Sequence, residues 1–264
     1  MSQDPFSSPR PIPPRGGHSG ATPAPAPWGL TGTIVWSVVG LCVWGAAQLV
    51  VIFAYVATQP GAHDATAIKG MGTNGLLLSL VTIVGASAWA AVMAFAAHRR
   101  GWRPADYLAL VMPTRGQLAF GFLCILPLLV GVDVLNYATG RDVIPTFMSE
   151  SYKSAAASGA LLLFFIAVVI VAPTAEEIVF RGFLFRGLKE TFLGVAGTLV
   201  VTSAAWAVLH VQYDWLTIVE IFLIGVLFGW LRWASGSTVL TIALHVTMNF
   251  VALVETAIWI QWYG

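Results

Sequence analysis

Seven apolar runs, each close to the length of a bilayer crossing, leave this chain few ways to fold. They lie at about Gly32 to Ala57, Gly75 to Ala97, Gln117 to Tyr137, Gly159 to Phe185, Leu193 to Val211, Leu216 to Ala234 and Val239 to Ile260. A helical span needs about 20 mostly apolar residues. In hydrocarbon each segment must satisfy its own backbone N–H and C=O groups, so such runs become helices. The expected fold is therefore all-α, a polytopic transmembrane helix bundle of about seven spans. Only 9% of the residues are charged and 58% are hydrophobic, against about 25% charged in a soluble domain. A net charge of +1 argues against nucleic acid as a partner; the lipid bilayer is the partner this composition implies.

Three regions follow. Residues 1–30 are rich in Pro, Gly and Ser, with PRPIPPRGG and ATPAPAPW, and are expected to form a disordered tail. No apolar core with a small-residue cleavage site stands at the front, so no cleavable signal peptide is expected. Residues 31–140 hold the first membrane helices, and 158–262 hold a second group that carries the polar motifs. Cys42 and Cys124 each sit inside an apolar run and read as small core hydrophobes, not as a disulfide. His98 to Arg103, with the stretch to Arg115, reads as a basic, aromatic-bearing surface loop with room for a short interfacial helix.

Orientation comes from the Lys and Arg residues. Ten of the 13 fall on one side if the runs alternate: Arg10, Arg15, Arg99, Arg100, Arg103, Arg115, Arg181, Arg186, Lys189 and Arg232. Lys69, Arg141 and Lys153 fall on the other. That bias places the amino terminus in the cytoplasm and the carboxyl terminus, with Trp259, Trp262 and Tyr263 as an interfacial belt, on the far side. A multi-pass protein of the cell membrane is expected.

Within the fourth run the sequence does something costly. Ala172-Pro173-Thr174-Ala175-Glu176-Glu177-Ile178-Val179-Phe180-Arg181 puts two carboxylates and a guanidinium where lipid or packed protein should be. A charge near the bilayer centre costs about 2.5–3.5 kcal/mol on insertion scales, which makes it a functional candidate by default. Glu177 and Arg181 are four apart and share a helix face in the favourable order. Glu176 points about 100° away around the helix and lacks a local partner. One carboxylate is held and the other is free to work; the plain alternative is a charged pair snorkelling at a helix end. Pro173, just before them, should kink or loosen the backbone.

Two histidines join them inside apolar runs. His210 closes Trp206-Ala207-Val208-Leu209-His210, and His245 opens His245-Val246-Thr247-Met248-Asn249, where four-residue spacing puts ring and amide on one face. Isolated polar groups in lipid would each need satisfaction; convergence on one water-filled pocket would satisfy them together. Such a set suits water activation. A carboxylate and an imidazole can hold a water and take its proton, while a second imidazole and an amide N–H can stabilise an oxyanion. Alternatively, Glu and His can ligate a divalent metal that lowers the water's pKa. The residues themselves leave both routes open.

Glu176-Glu177-xxx-Arg181, Trp206-xxx-His210 and His245-xxx-Asn249 resemble, in order, the EExxxR, FxxxH and HxxxN/D motifs of the CAAX protease and bacteriocin-processing (Abi) family, also called type II CAAX prenyl endopeptidases. The resemblance covers roughly Gly159 to Phe250 and departs at Trp206, where that family usually has Phe. It implies an intramembrane protease in which Glu176 with His210 activates water. It makes His245 and Asn249 the oxyanion-stabilising pair, and Glu177 and Arg181 supporting residues. Members are described as metalloproteases or as glutamate proteases; in the first case Glu176, His210 and His245 would be the ligands of a divalent metal such as zinc. The implied partner is a peptide or membrane-protein substrate. The alternatives are a non-catalytic immunity or binding membrane protein and, less favoured, a proton-coupled transporter, for which no inverted repeat is evident. The chain has no HExxH and no Gly-x-Ser-x-Gly. Asp133, Asn136, Glu220 and Glu255 read as interface or interhelical polar groups.

Overall fold

The computed structural model describes residues 25–58 and 70–263, which are helical with no strand among them. The helices are α1 (Leu30–Ala57), α2 (Gly75–Arg99), α3 (Pro104–Tyr107), α4 (Arg115–Ala138), α5 (Thr146–Ala157), α6 (Leu161–Leu188), α7 (Gly194–Val208), α8 (Trp215–Ser235) and α9 (Thr238–Tyr263). Six of them, α1, α2, α4, α6, α8 and α9, are long and apolar enough to cross a membrane. The fifth expected span is shorter: α7 has 15 residues, a rise of about 22 Å, against a hydrocarbon core of about 30 Å. It ends at Val208 because residues 209–213 turn, and Asp214 then caps α8 by accepting the amides of Leu216 and Thr217. The short interfacial helix anticipated after Arg103 is α3, with Pro104 at its first turn. α5 was not anticipated, since its run of Ser, Glu and Lys carries too little apolar content to register as a span. Most of the expected disordered tail, residues 1–24, lies outside the described residues, as does Lys69.

The chain divides into two compact units. The first takes residues 25–39, 91–124 and 176–244 of the described chain, and the second takes 40–58, 70–90, 125–175 and 245–263. In the first, Trp206, Phe183, Phe185, Phe228, Leu231, Leu240 and Leu244 are buried. Gly187 allows α6 to lie directly on Thr33 of α1, and Gly121 admits the Leu240 and Leu244 side chains of α9 against α4. Residues 25–29 are docked here too. Trp102 Nε1 donates to the Pro25 carbonyl (2.9 Å), Arg100 Nε to Ala26 (2.9 Å) and Trp28 Nε1 to Ala96 (3.0 Å). Tyr107, fully buried beside Trp28, has its hydroxyl pushed up to about 12 by burial.

In the second unit, Ala155 of α5, Phe164 and Val169 of α6 and Leu253 of α9 form a buried cluster covered by Met148, Tyr152 and Val246. Trp44 of α1 lies 5.7 Å from Trp89 of α2. Gly75 of α2 meets α5 closely, with its N–H bonded to Ser154 Oγ at 3.0 Å. Near the end of α4, Asn136 Oδ1 accepts Arg141 Nη1 at 2.6 Å, a local bond from the loop that follows the same helix and not an interhelical one.

Candidate active site

α6 carries the glutamates, and it is not uniformly α-helical. Ile166–Val171 and Ile178–Leu184 are wide turns with i→i+5 bonding, a form that concentrates at functional sites. The first lies just before Pro173, where loosening was expected. Ala172 N–H bonds to Ala167 O, so Val168 O would need the N–H of residue 173, and proline has none. That carbonyl instead accepts Asn249 Nδ2 from α9 at 2.8 Å. The second wide turn repeats the logic. Phe185 N–H bonds to Phe180 O, and the next carbonyl, Arg181 O, accepts Arg232 Nε at 3.1 Å. Arg232 also donates to Thr238 Oγ1 at 2.9 Å, which itself donates to Leu108 O at 2.6 Å.

The two adjacent glutamates have different surroundings. Glu177 is fully buried, and its Oε1 accepts Arg181 Nη1 at 2.7 Å, with the arginine 1% exposed. The guanidinium also donates to Gly225 O (3.2 Å) and lies 4.5 Å above the Trp206 ring and 5.5 Å from Phe228. This pair is part of the packed interior, and the snorkelling alternative does not describe it. Glu176 is half-buried. Its Oε2 accepts the indole N–H of Trp206 at 2.5 Å, whereas Oε1 makes no hydrogen bond among the described residues.

His210 stands just past the end of α7. Its own amide bonds to Ala207 O at 3.0 Å, and Trp206 O accepts the Leu209 amide at 3.2 Å as the last turn tightens, which leaves that carbonyl a second lone pair. The ring takes it, with Nδ1 3.0 Å from Trp206 O. A carbonyl only accepts, so Nδ1 carries the proton and Nε2 of the neutral ring presents a lone pair. The His210 ring meets Trp206 edge-on at 5.3 Å and stacks on Tyr213 at 6.2 Å. Burial, opposed by a bond to Gln212 and reinforced by the Glu176 charge, pushes the Tyr213 hydroxyl up to about 12. It is therefore a proton-bearing group at neutral pH.

The first unit thus brings Glu176, Glu177, Arg181 and His210 together around Trp206. His245 and Asn249 are in the second unit, on α9, with His245 buried and Asn249 half-buried. One N–H of the Asn249 amide is committed to Val168 O, which fixes its plane and leaves its second N–H. Among the described residues no group of three or more His, Cys, Asp or Glu is placed to hold a metal ion. Sequence reasoning missed Gly225, Arg232 and Tyr213. Nothing in the local sequence marks the Gly225 carbonyl as the acceptor for Arg181, whereas Arg232, a charge inside an apolar run, was a usable signal.

Residues 158–251 match the family model described as Rce1-like, type II CAAX prenyl endopeptidase Rce1-like. The carboxyl-terminal part of this chain is CAAX-protease-like. All three motifs fall within the matched segment, while α1, α2 and α4 fall outside it. Neither the curated proteins nor the solved structures contain a match to the chain. The Rce1-like match supports a peptidase, and the apolar helices make it a multi-pass membrane protein.

Proposed function

We propose that this protein is an intramembrane endopeptidase that hydrolyses a peptide bond with a water activated by Glu176 and His210. The observation that carries the reading is the division between neighbouring carboxylates. Glu177 is locked to Arg181 in the interior, while Glu176 keeps one oxygen without a hydrogen bond among the described residues. In this mechanism Glu176 takes a proton from water as the water oxygen attacks the scissile carbonyl carbon, and delivers it to the leaving nitrogen. His210 Nε2 accepts from the same water and orients it. His245 and the second N–H of Asn249 are assigned to the oxyanion; the order and spacing of the motifs in the matched segment support their acting on the same substrate. The substrate is a peptide or a membrane-protein segment. The protein is placed in the cell membrane with its amino terminus cytoplasmic, on the distribution of Lys and Arg.

A glutamate-dependent reaction is preferred over a metal-dependent one, because one Glu176 oxygen is already engaged by an indole N–H. Zinc, if it were used, would fall to Glu176, His210 and His245. The test is cleavage of a peptide library by purified protein, with Glu176→Gln and dialysis against a strong chelator as controls. The variant should fold normally and lose turnover by about 10²–10⁴-fold, and the chelated parent should stay active. Stoichiometric zinc whose removal abolishes cleavage would reverse the preference. Absence of cleavage by the parent itself would favour the immunity or binding reading.

A further inference from the structure

Trp206 does more than fill the interior. It is 1% exposed, and its indole plane is fixed from several directions. The Arg181 guanidinium lies 4.5 Å over one face, and Phe228 is stacked at 6.3 Å. Gly225 of α8 leaves the space its Cε3 edge needs: a Cβ on that glycine would sit 3.1 Å from Cε3. An indole held in this way has a single direction in which its N–H can point. That direction ends on Glu176 Oε2 at 2.5 Å. The same residue's carbonyl, at the end of α7, accepts the Leu209 amide at 3.2 Å and, on its other lone pair, His210 Nδ1 at 3.0 Å.

We propose that Trp206 is a positioning residue that sets both halves of the water-activating pair, its side chain holding Glu176 and its main chain holding His210. The inference rests on the reading of Glu176 as the base and adds which atoms work. With Oε2 occupied by the N–H, Oε1 is the oxygen that accepts the water's proton. With the ring proton drawn to Nδ1 by the carbonyl, Nε2 is the nitrogen that accepts from the same water. A hydrogen bond to an ionised carboxylate is roughly twice as strong as a neutral one, so the indole confines a side chain that otherwise has three rotatable bonds. Phenylalanine at this position would fill most of the volume and keep an aromatic face for Arg181, but it has no donor for Glu176. The competing account is that the glutamate merely satisfies a buried indole N–H. That account predicts changes in stability and none in turnover or in the tautomer of His210.

The experiment uses the full chain in detergent micelles. Tryptophan indoles are ¹⁵N-labelled, and the resonance of residue 206 is assigned by its loss in Trp206→Phe. Replacement of Trp206 by the isosteric β-(3-benzothienyl)alanine, through amber suppression, deletes the N–H while keeping volume. It provides the assignment if the phenylalanine variant does not fold. The Trp206 indole proton should lie furthest downfield among the indoles, and Glu176→Gln should move it upfield more than any other. In ¹⁵N-histidine spectra His210 should show the proton on Nδ1, opposite to the preference of imidazole free in water. On a peptide the parent cleaves, both Trp206 variants should lower kcat by about 10- to 100-fold, the effect of one charge-assisted hydrogen bond. KM should stay within about twofold, and the benzothienyl protein should keep the parent's melting temperature. An indole resonance indifferent to Glu176→Gln, an Nε2-protonated His210, or a parental kcat in the benzothienyl protein would each overturn the proposal. If the parent cleaves nothing, the protease reading falls, and the two spectra alone decide whether Trp206 holds the pair.

Discussion

Arg181 and Asn249 look alike in the sequence, each a polar residue in a motif, yet the structure gives them different surroundings, from which different failures are expected. Arg181→Ala strands the Glu177 carboxylate at a fully buried position. It also removes the cation over Trp206 and the donor to Gly225 O. Breaking a buried pair from one side costs about 3–5 kcal/mol, so the variant should express poorly or melt well below the parent, with inactivity as a consequence. Thermal unfolding in detergent checks this; a parental melting temperature would mean that the pair does not hold the interior together. Asn249→Ala removes the proposed oxyanion donor and should lower turnover by about 10²–10³-fold. It also deprives Val168 O of the Asn249 amide, a net loss of about 1 kcal/mol. Single-turnover cleavage should therefore fall steeply while unfolding shifts only slightly and substrate binding is nearly unchanged. Loss of binding instead would remove Asn249 from the oxyanion role.

At the scale of elements, α6 and α8 explain why the polar groups tolerate their position. Two wide turns in α6 each release a carbonyl, and each carbonyl is taken by a side chain from another helix, Asn249 from α9 and Arg232 from α8. α8 can reach α6 and α7 because Gly225 has no side chain. A Cβ there would meet Ser203 Cβ at 2.9 Å and Trp206 Cε3 at 3.1 Å. Neither can swing away, since Ser203 Cβ is fixed to its backbone and the indole is buried, with the Arg181 guanidinium over its face and its N–H on Glu176. Gly225→Ala should thus destabilise by about 1–3 kcal/mol through overpacking. It should also disturb the carbonyl that Arg181 uses. A lowered melting temperature that is restored by Ser203→Gly would verify the cause; an unchanged one would show that α8 shifts freely.

For the whole molecule, the testable matter is sidedness. Lys and Arg crowd the tail and alternate connections, which predicts a cytoplasmic amino terminus. If α7 crosses with the six longer helices, reporters fused at Pro13 and at Gly264 should report opposite sides. Both on one side would mean that α7, at 15 residues, does not traverse the bilayer. The helical class and the long spans could be read from hydropathy alone, because length and apolar content are local quantities. So could the Glu177–Arg181 pair, because four-residue spacing on a helix is geometry in advance. The pairing of Glu176 with Trp206 could not. The two are 30 positions apart, and their meeting depends on how α7 packs against α6 with Gly225 behind it. The protonated nitrogen of His210 likewise follows from where α7 stops, which residues 209–213 and the Asp214 cap decide. Sequence thus determined which side chains had to be satisfied inside the membrane and paired those one helical turn apart; between helices, tertiary packing alone decided which atom satisfies which, because those hydrogen bonds depend on distances that spacing along the chain does not specify.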